Sequence, residues 1–368
     1  MEIQPLSTKS SDYNADAAVT PPSDAPVLKT RIHRGLPGLI GRMVRFLRGR
    51  ETLLWWMHSS YALLFGVGVM WLGAKNFVYL RLIVFHISFI WLTSLFLPAI
   101  VMRSWLSPRW RERIRLGINY FNKNFYQQLL FFLLPIYYAS TTFGSRNMVF
   151  LVLLAISAAL STMDIVYDRY LSVHWPLTAL FFMFNLFASI NAMLPVLWSV
   201  SNHWALWISG ALALGGFASM LYRLSGLRRN TAKLLLVAAA FGLFLIIEFF
   251  RPFIPPAPLY LASAQFGRSI QSLRIVSPID SIPTGPGKIA ALTAIKAPMG
   301  LQENVRHLWY LDDKVIFASS YHPVTGGRKE GYRLWTQITW KSGLTGRVLT
   351  VDVETQSGQL IGRAQLKQ

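Results

Sequence analysis

The 368-residue chain contains no cysteine, which excludes disulfides, thiolate metal sites and cysteine nucleophiles. Charge is scarce: 14 % of residues are charged, against about a quarter in soluble globular proteins. Acids are the scarcer sign, 16 Asp and Glu against 36 Lys and Arg, so the net charge is +20. Short motifs with a mechanism are missing as well. No HExxH spacing, nucleophile elbow, phosphate loop or kinase set occurs. The sequence therefore implies no cofactor and no metal, and a non-enzymatic role is favoured. The first fifty residues lack the apolar core of a cleavable signal peptide, so insertion is expected to rely on a first apolar segment.

What the chain has in excess is apolar surface. Hydrophobic residues make up 53 %, gathered in runs of roughly 18 to 25, the length that crosses a ~30 Å hydrocarbon core. Seven spans are predicted, over 53–74, 77–102, 126–143, 148–168, 176–200, 204–222 and 234–250. The cations sort with them. Residues 1–251 hold 23 Lys and Arg against 9 Asp and Glu, mostly between apolar runs. With the N-terminus inside, the intervening inner segments 103–125 and 223–233 are strongly basic and the outer ones nearly uncharged, as the positive-inside rule requires. Cations so placed serve orientation and anionic lipid, and a nucleic-acid partner is not expected.

The predicted organisation begins with a disordered cytoplasmic tail, 1–35, and a basic amphipathic juxtamembrane segment, 36–51. In the latter Arg42, Arg45 and Arg48 share one helical face and suit anionic headgroups. A seven-helix transmembrane domain, 52–251, follows. Its inner loop carries Arg109, Arg111, Arg113 and Arg115 among aromatic residues, which reads equally as an interfacial helix or a solvated basic loop. A Pro-rich linker, 252–287, leads to a β domain, 288–368. There, segments 289–296, 305–311, 315–321, 332–340, 347–354 and 359–366 alternate between turn signals. Six short antiparallel strands predict a small immunoglobulin-like sandwich, with a partly open barrel as the alternative.

Several polar groups stand out. Asp164 and Asp168 lie one helical turn apart, able to hold a cation or share a proton, or else to wet a helix end. Asn185 and Asn191 make the fifth predicted span the most polar, suiting helix–helix hydrogen bonds or a substrate path. Glu248 and Arg251, three residues apart, can pair at the exit of the last span. In the β domain His307, Trp309, Trp335 and Trp340 could form a surface for a glycan or an envelope protein, although alternating Trp in a strand more often fills a core.

The C-terminal segment also carries a resemblance. Ala297-Pro298, His307-Leu-Trp309, Arg333-Leu-Trp335, Val351-Asp-Val353 and Gly358-Gln-Leu-Ile-Gly362 resemble a bacterial domain of unknown function, the 2914 type. In that family the domain often follows a polytopic membrane region, and Ile254-Pro-Pro-Ala-Pro-Leu259 looks like the joint. Leu349-Thr350 stands where the family leads one to expect an aromatic. The resemblance implies architecture and a bacterial inner-membrane location, N-terminus cytoplasmic and β domain periplasmic, and supplies no activity. The expected role is an integral membrane protein presenting an external β-sandwich to a ligand or partner. The alternative is a transporter or membrane-embedded enzyme with its polar site among the helices.

Overall fold

A computed structural model describes residues 129–163, 173–224, 228–340 and 348–368, with helical positions at 60, 61, 63, 64, 67 and 68. Five helices occur in the continuous stretches: α1 (Leu129–Ala139), α2 (Met148–Thr162), α3 (Trp175–Trp198), α4 (Asn202–Leu224) and α5 (Arg229–Phe249). Their packing comes from apolar faces that meet in one core of Leu130, Phe132, Tyr137, Leu154, Ala188, Leu206 and Ile247 among others. Small residues let α4 approach closely. A Cβ on Gly216 would meet Phe182 of α3 at 2.6 Å, and one on Gly210 would meet Ile247 of α5 at 2.8 Å.

The expected seven-helix bundle is not what the structure contains. Among the described residues only α3 and α5 are long and apolar enough to cross a membrane. The predicted spans 53–74 and 77–102 lie outside the described residues, apart from the six helical positions. The predicted third span ends early: α1 stops at Ala139, where Ser140 and Thr141 turn their hydroxyls back onto the Ile136 and Tyr137 carbonyls, and residues 126–128 lie outside the described residues. The fourth shrinks to the 15 residues of α2, about 22 Å at 1.5 Å per residue. The physical reason for the overcount is that a helix interred in protein is as apolar as one in lipid. Leu129, Leu130, Phe131, Phe132 and Leu133 are all buried, as in a core helix.

A 3-10 turn, Arg251–Phe253, ends α5. The following Ile254–Leu259 segment, expected as part of a Pro-rich linker, is buried at every residue. Ile254 and Ala257 belong to the helical core and Leu259 to a core of the β domain. One short stretch thus joins two interiors.

Among the described residues the β domain has nine strands: β1 (Tyr260–Gln271), β2 (Arg274–Pro278), β3 (Gly287–Lys296), β4 (Gln302–Leu311), β5 (Lys314–Ala318), β6 (His322–Thr325), β7 (Tyr332–Trp340), β8 (Val348–Thr355) and β9 (Leu360–Lys367). All six predicted strands are present to within a few residues, while β1 and β2 occupy sequence read as linker and β6 lies between two predicted strands. Pairing is antiparallel in both sheets, in the orders β2-β1-β3-β7 and β5-β4-β8-β9, with β6 also on β4. An immunoglobulin domain would give 1-2-5-4 and 3-6-7. The two-sheet antiparallel part of the expectation stands and the immunoglobulin-like topology does not. Leading with a long hairpin, β1–β2, places β1 where that topology would place a second strand.

Period-two alternation points Ile289, Ala291, Thr293 and Ile295 of β3 inward, facing Val305, His307 and Trp309 of β4. Leu334, Thr336, Ile338 and Trp340 of β7 and Leu349, Val351 and Val353 of β8 complete the interior. Its apolar members form two clusters, one around Trp309 and Val351, the other around Val305 and Val353. Between them along the strands lies a polar layer of Thr293, His307 and Thr336.

Candidate functional site

The helices and the β domain meet through hydrogen bonds at helix ends. Helix α4 begins at Asn202, whose backbone N–H donates to Glu303 Oε2 of β4 at 2.8 Å. That carboxylate answers one of the unpaired N–H groups that every helix start presents. The Asn202 amide donates to the Pro256 carbonyl at 3.4 Å, and Gln359 donates to the Ile254 carbonyl at 2.9 Å. Asn147, just before α2, donates to the Leu360 carbonyl at 3.2 Å. The starts of α2 and α4 and the ends of α3 and α5 therefore share the face that carries the β domain. The opposite end carries exposed Arg228, Arg229 and Lys233.

Beside this seam opens a cleft of about 680 Å³. Its walls come from α4 (His203, Trp204), the 3-10 turn (Arg251), β4 (Gln302, Glu303, Asn304), β6 and the β8–β9 turn (Gln356, Ser357). Burial of Glu303 pushes its carboxyl above the usual range, opposed by the N–H donors of Asn202 and Asn304. Arg251 donates to Glu248 Oε2 at 2.9 Å, the pairing anticipated from their spacing. Asn304 donates to Gln356 Oε1 at 2.8 Å. The arrangement offers amides, hydroxyls and an exposed indole, with its charges already matched.

His307 lies elsewhere, fully buried in the polar layer. Trp309 Nε1 donates to Thr336 Oγ1 at 2.8 Å, and that oxygen is 2.7 Å from His307 Nδ1. His307 Nε2 is 2.8 Å from Thr293 Oγ1, which donates to the Leu334 carbonyl at 3.3 Å. Since Thr293 spends its hydroxyl hydrogen on Leu334, it accepts from the ring hydrogen on Nε2, and Thr336, which accepts from the indole, donates its own O–H to Nδ1. Burial, then the charge of His322, pushes the imidazole down to about 3. It is a neutral bridge between the sheets.

Of the predicted surface quartet, His307, Trp309 and Trp340 are interior, and Trp335 stands exposed on the outer face opposite Leu292 of β3. They do not converge on one surface. Asn191 donates to the Tyr137 hydroxyl at 3.2 Å, which donates to the Ala188 carbonyl at 2.8 Å. Asn185 is 1 % exposed, and among the described residues neither polar atom of its amide has a hydrogen-bond partner. Asp164 and Asp168 lie outside the described residues, as do Arg42, Arg45, Arg48, Arg109, Arg111, Arg113 and Arg115. Sequence reasoning passed over Glu303, Asn202 and Gln359. The one signal, for Glu303, was the run Gln302-Glu303-Asn304, three polar residues where a half-buried strand should alternate.

Comparison with known proteins matches residues 41–281 to a family of unknown function, DUF5924. Residues 302–367 match a protein domain of unknown function, DUF2914, in agreement with the C-terminal resemblance. No curated protein matches, and no solved structure matches.

Proposed function

We propose that this chain, which belongs to the family of unknown function DUF5924, is a protein of the bacterial inner membrane. Its helices hold the β domain against the periplasmic face, where the cleft at the seam receives a ligand or partner. The observation that carries this reading is α5. It is apolar enough to span, yet only Ala232 and Ile247 are buried. Leu234 is 69 % exposed, Val237 65 % and Phe241 61 %. Leaving such side chains in water would forgo about 1.5–3 kcal/mol each, which lipid restores. Orientation is supported by Arg228, Arg229 and Lys233 at the end remote from the β domain, since basic residues stay cytoplasmic.

The test is fractionation followed by a topology reporter pair fused after Gln368 and after Arg228. Resistance to carbonate extraction, an external signal at Gln368 and an internal one at Arg228 are expected. Carbonate release, or an internal Gln368, overturns the reading.

A second reading, a polar binding position among the helices, is favoured by Asn185 and its unpartnered amide. A ligand or water seated there would supply the missing hydrogen bonds. Asn185→Leu separates the two, by loss of function at normal insertion or by a gain of stability alone.

A further inference from the structure

We infer that the seam cleft is a binding site for a neutral polyhydroxylated group, the sugar or polyol of a glycan or of a lipid headgroup. The inference names the ligand class of the cleft and so rests on the reading that the cleft is a recognition site.

Charge on the walls argues against an anion. Arg251, a guanidinium lining the cleft, is paired with Glu248 at 2.9 Å. Glu303 is only 7 % exposed and turned onto the Asn202 N–H. Among the described residues the one guanidinium on the cleft wall already has a counter-ion, and a phosphate would also meet a carboxyl behind the wall. A bare cation would find that same carboxyl already engaged, and among the described residues no group of three acidic or histidine side chains could hold a metal.

The hydrogen-bonding inventory points to hydroxyls. Asn304 spends one amide hydrogen on Gln356 Oε1. Its carbonyl oxygen and the Gln356 NH2 take part in no hydrogen bond among the described residues, which leaves an acceptor and a donor on one wall. Gln302, exposed on the same strand, offers a second amide of both kinds, and Thr325 is its cross-strand partner on β6. A hydroxyl donates and accepts at once, so adjacent hydroxyls on a ring match adjacent amides without a charge. Trp204 adds the apolar component: it is 61 % exposed on the cleft wall, edge-on to His203 at 5.7 Å between ring centres. An indole face so placed packs against the C–H face of a pyranose. The volume, about 680 Å³, lies within the range of small-molecule sites, about 300–1,000 Å³.

The experiment uses the full chain in phosphatidylethanolamine nanodiscs containing equal mole fractions of monoglucosyl diacylglycerol and phosphatidylglycerol, read by native mass spectrometry. In parallel, methyl β-D-glucopyranoside is titrated against intrinsic fluorescence. Retention of the glucosyl lipid over phosphatidylglycerol by about tenfold, the worth of one or two hydrogen bonds, is expected. Trp204→Ala and Gln302→Ala, both at exposed positions, should abolish the preference without moving the thermal midpoint. Lipid retention without a response to the free glucoside assigns a headgroup, and a response lost in Trp204→Ala assigns a soluble glycan. Both uphold the inference. Equal or greater retention of phosphatidylglycerol together with no response to the glucoside, or full sugar binding by both variants, overturns it. Should the chain fail to enter nanodiscs yet bind the glucoside in solution, the membrane reading falls and the cleft assignment stands.

Discussion

Acidification should loosen the β domain through His307, by an amount the structure sets. The imidazole is fully buried, and its pKa is lowered from 6.5 to about 3. Below pH 6.5 the unfolded chain takes up a proton that the folded one refuses, so stability falls as pH falls, down to the folded value. The slope is about 1.4 kcal/mol per pH unit, giving about 2 kcal/mol between pH 6.5 and 5. Glu303 works in the opposite sense. Its folded pKa is raised, so between the unfolded value and the raised one the folded state holds more protons and gains stability as pH falls. Comparing the protein with His307→Gln cancels that contribution, which both share. The assay is hydrogen exchange of the β3, β4 and β7 amides at pH 7 and pH 5, corrected for intrinsic rates. Protection in the unaltered protein should drop about 30-fold more than in His307→Gln, the equivalent of 2 kcal/mol. Equal drops in the two proteins would refute the buried neutral relay.

Three further outcomes follow from particular contacts. Asn185→Leu should raise the detergent-solubilised thermal midpoint, because an unpaired buried amide costs about 1–3 kcal/mol; a lowered midpoint would mean that the amide has a partner. Glu303→Ala should cost about 1–3 kcal/mol by stranding the Asn202 N–H, whereas Glu303→Gln, which keeps the acceptor, should cost far less; equal losses in thermal unfolding would show that the hydrogen bond is not what matters. A Cβ at Gly326 would lie 1.8 Å from the Pro298 carbonyl oxygen, while one at Gly358, at φ +80°, meets nothing within 4 Å. Gly326→Ala should therefore cost about 2–3 kcal/mol by overpacking and Gly358→Ala about 1–2 kcal/mol by strain alone, and reversal of that order in denaturant melts would count against the close approach.

The β strands were legible because period two and turn residues are local signals, as in Tyr332–Trp340, where predicted and observed bounds coincide. The pairing of Glu248 with Arg251 was legible for the same reason, being an i,i+3 contact. The span count was not, since hydropathy cannot tell a lipid-facing helix such as α5 from an interred one such as α1. Nor could sequence place β1, whose mixed residues become a strand through pairing with β3. The seam was hidden for a third reason. Glu303 acquires its role only when β4 is brought to the start of α4, a contact spanning 101 residues.

The segment Ile254–Leu259 has a mechanical consequence. A tethered domain sweeps a volume and meets targets at many heights, but a segment shared by two cores permits no swivel. The nine strands therefore behave as a lever rigidly clamped to the helices. Any tilt of α5 would be transmitted outward undamped, and any load on the β domain would return as torque on the helices. Reach is fixed as well: such a lever engages only what comes to the height at which it is set.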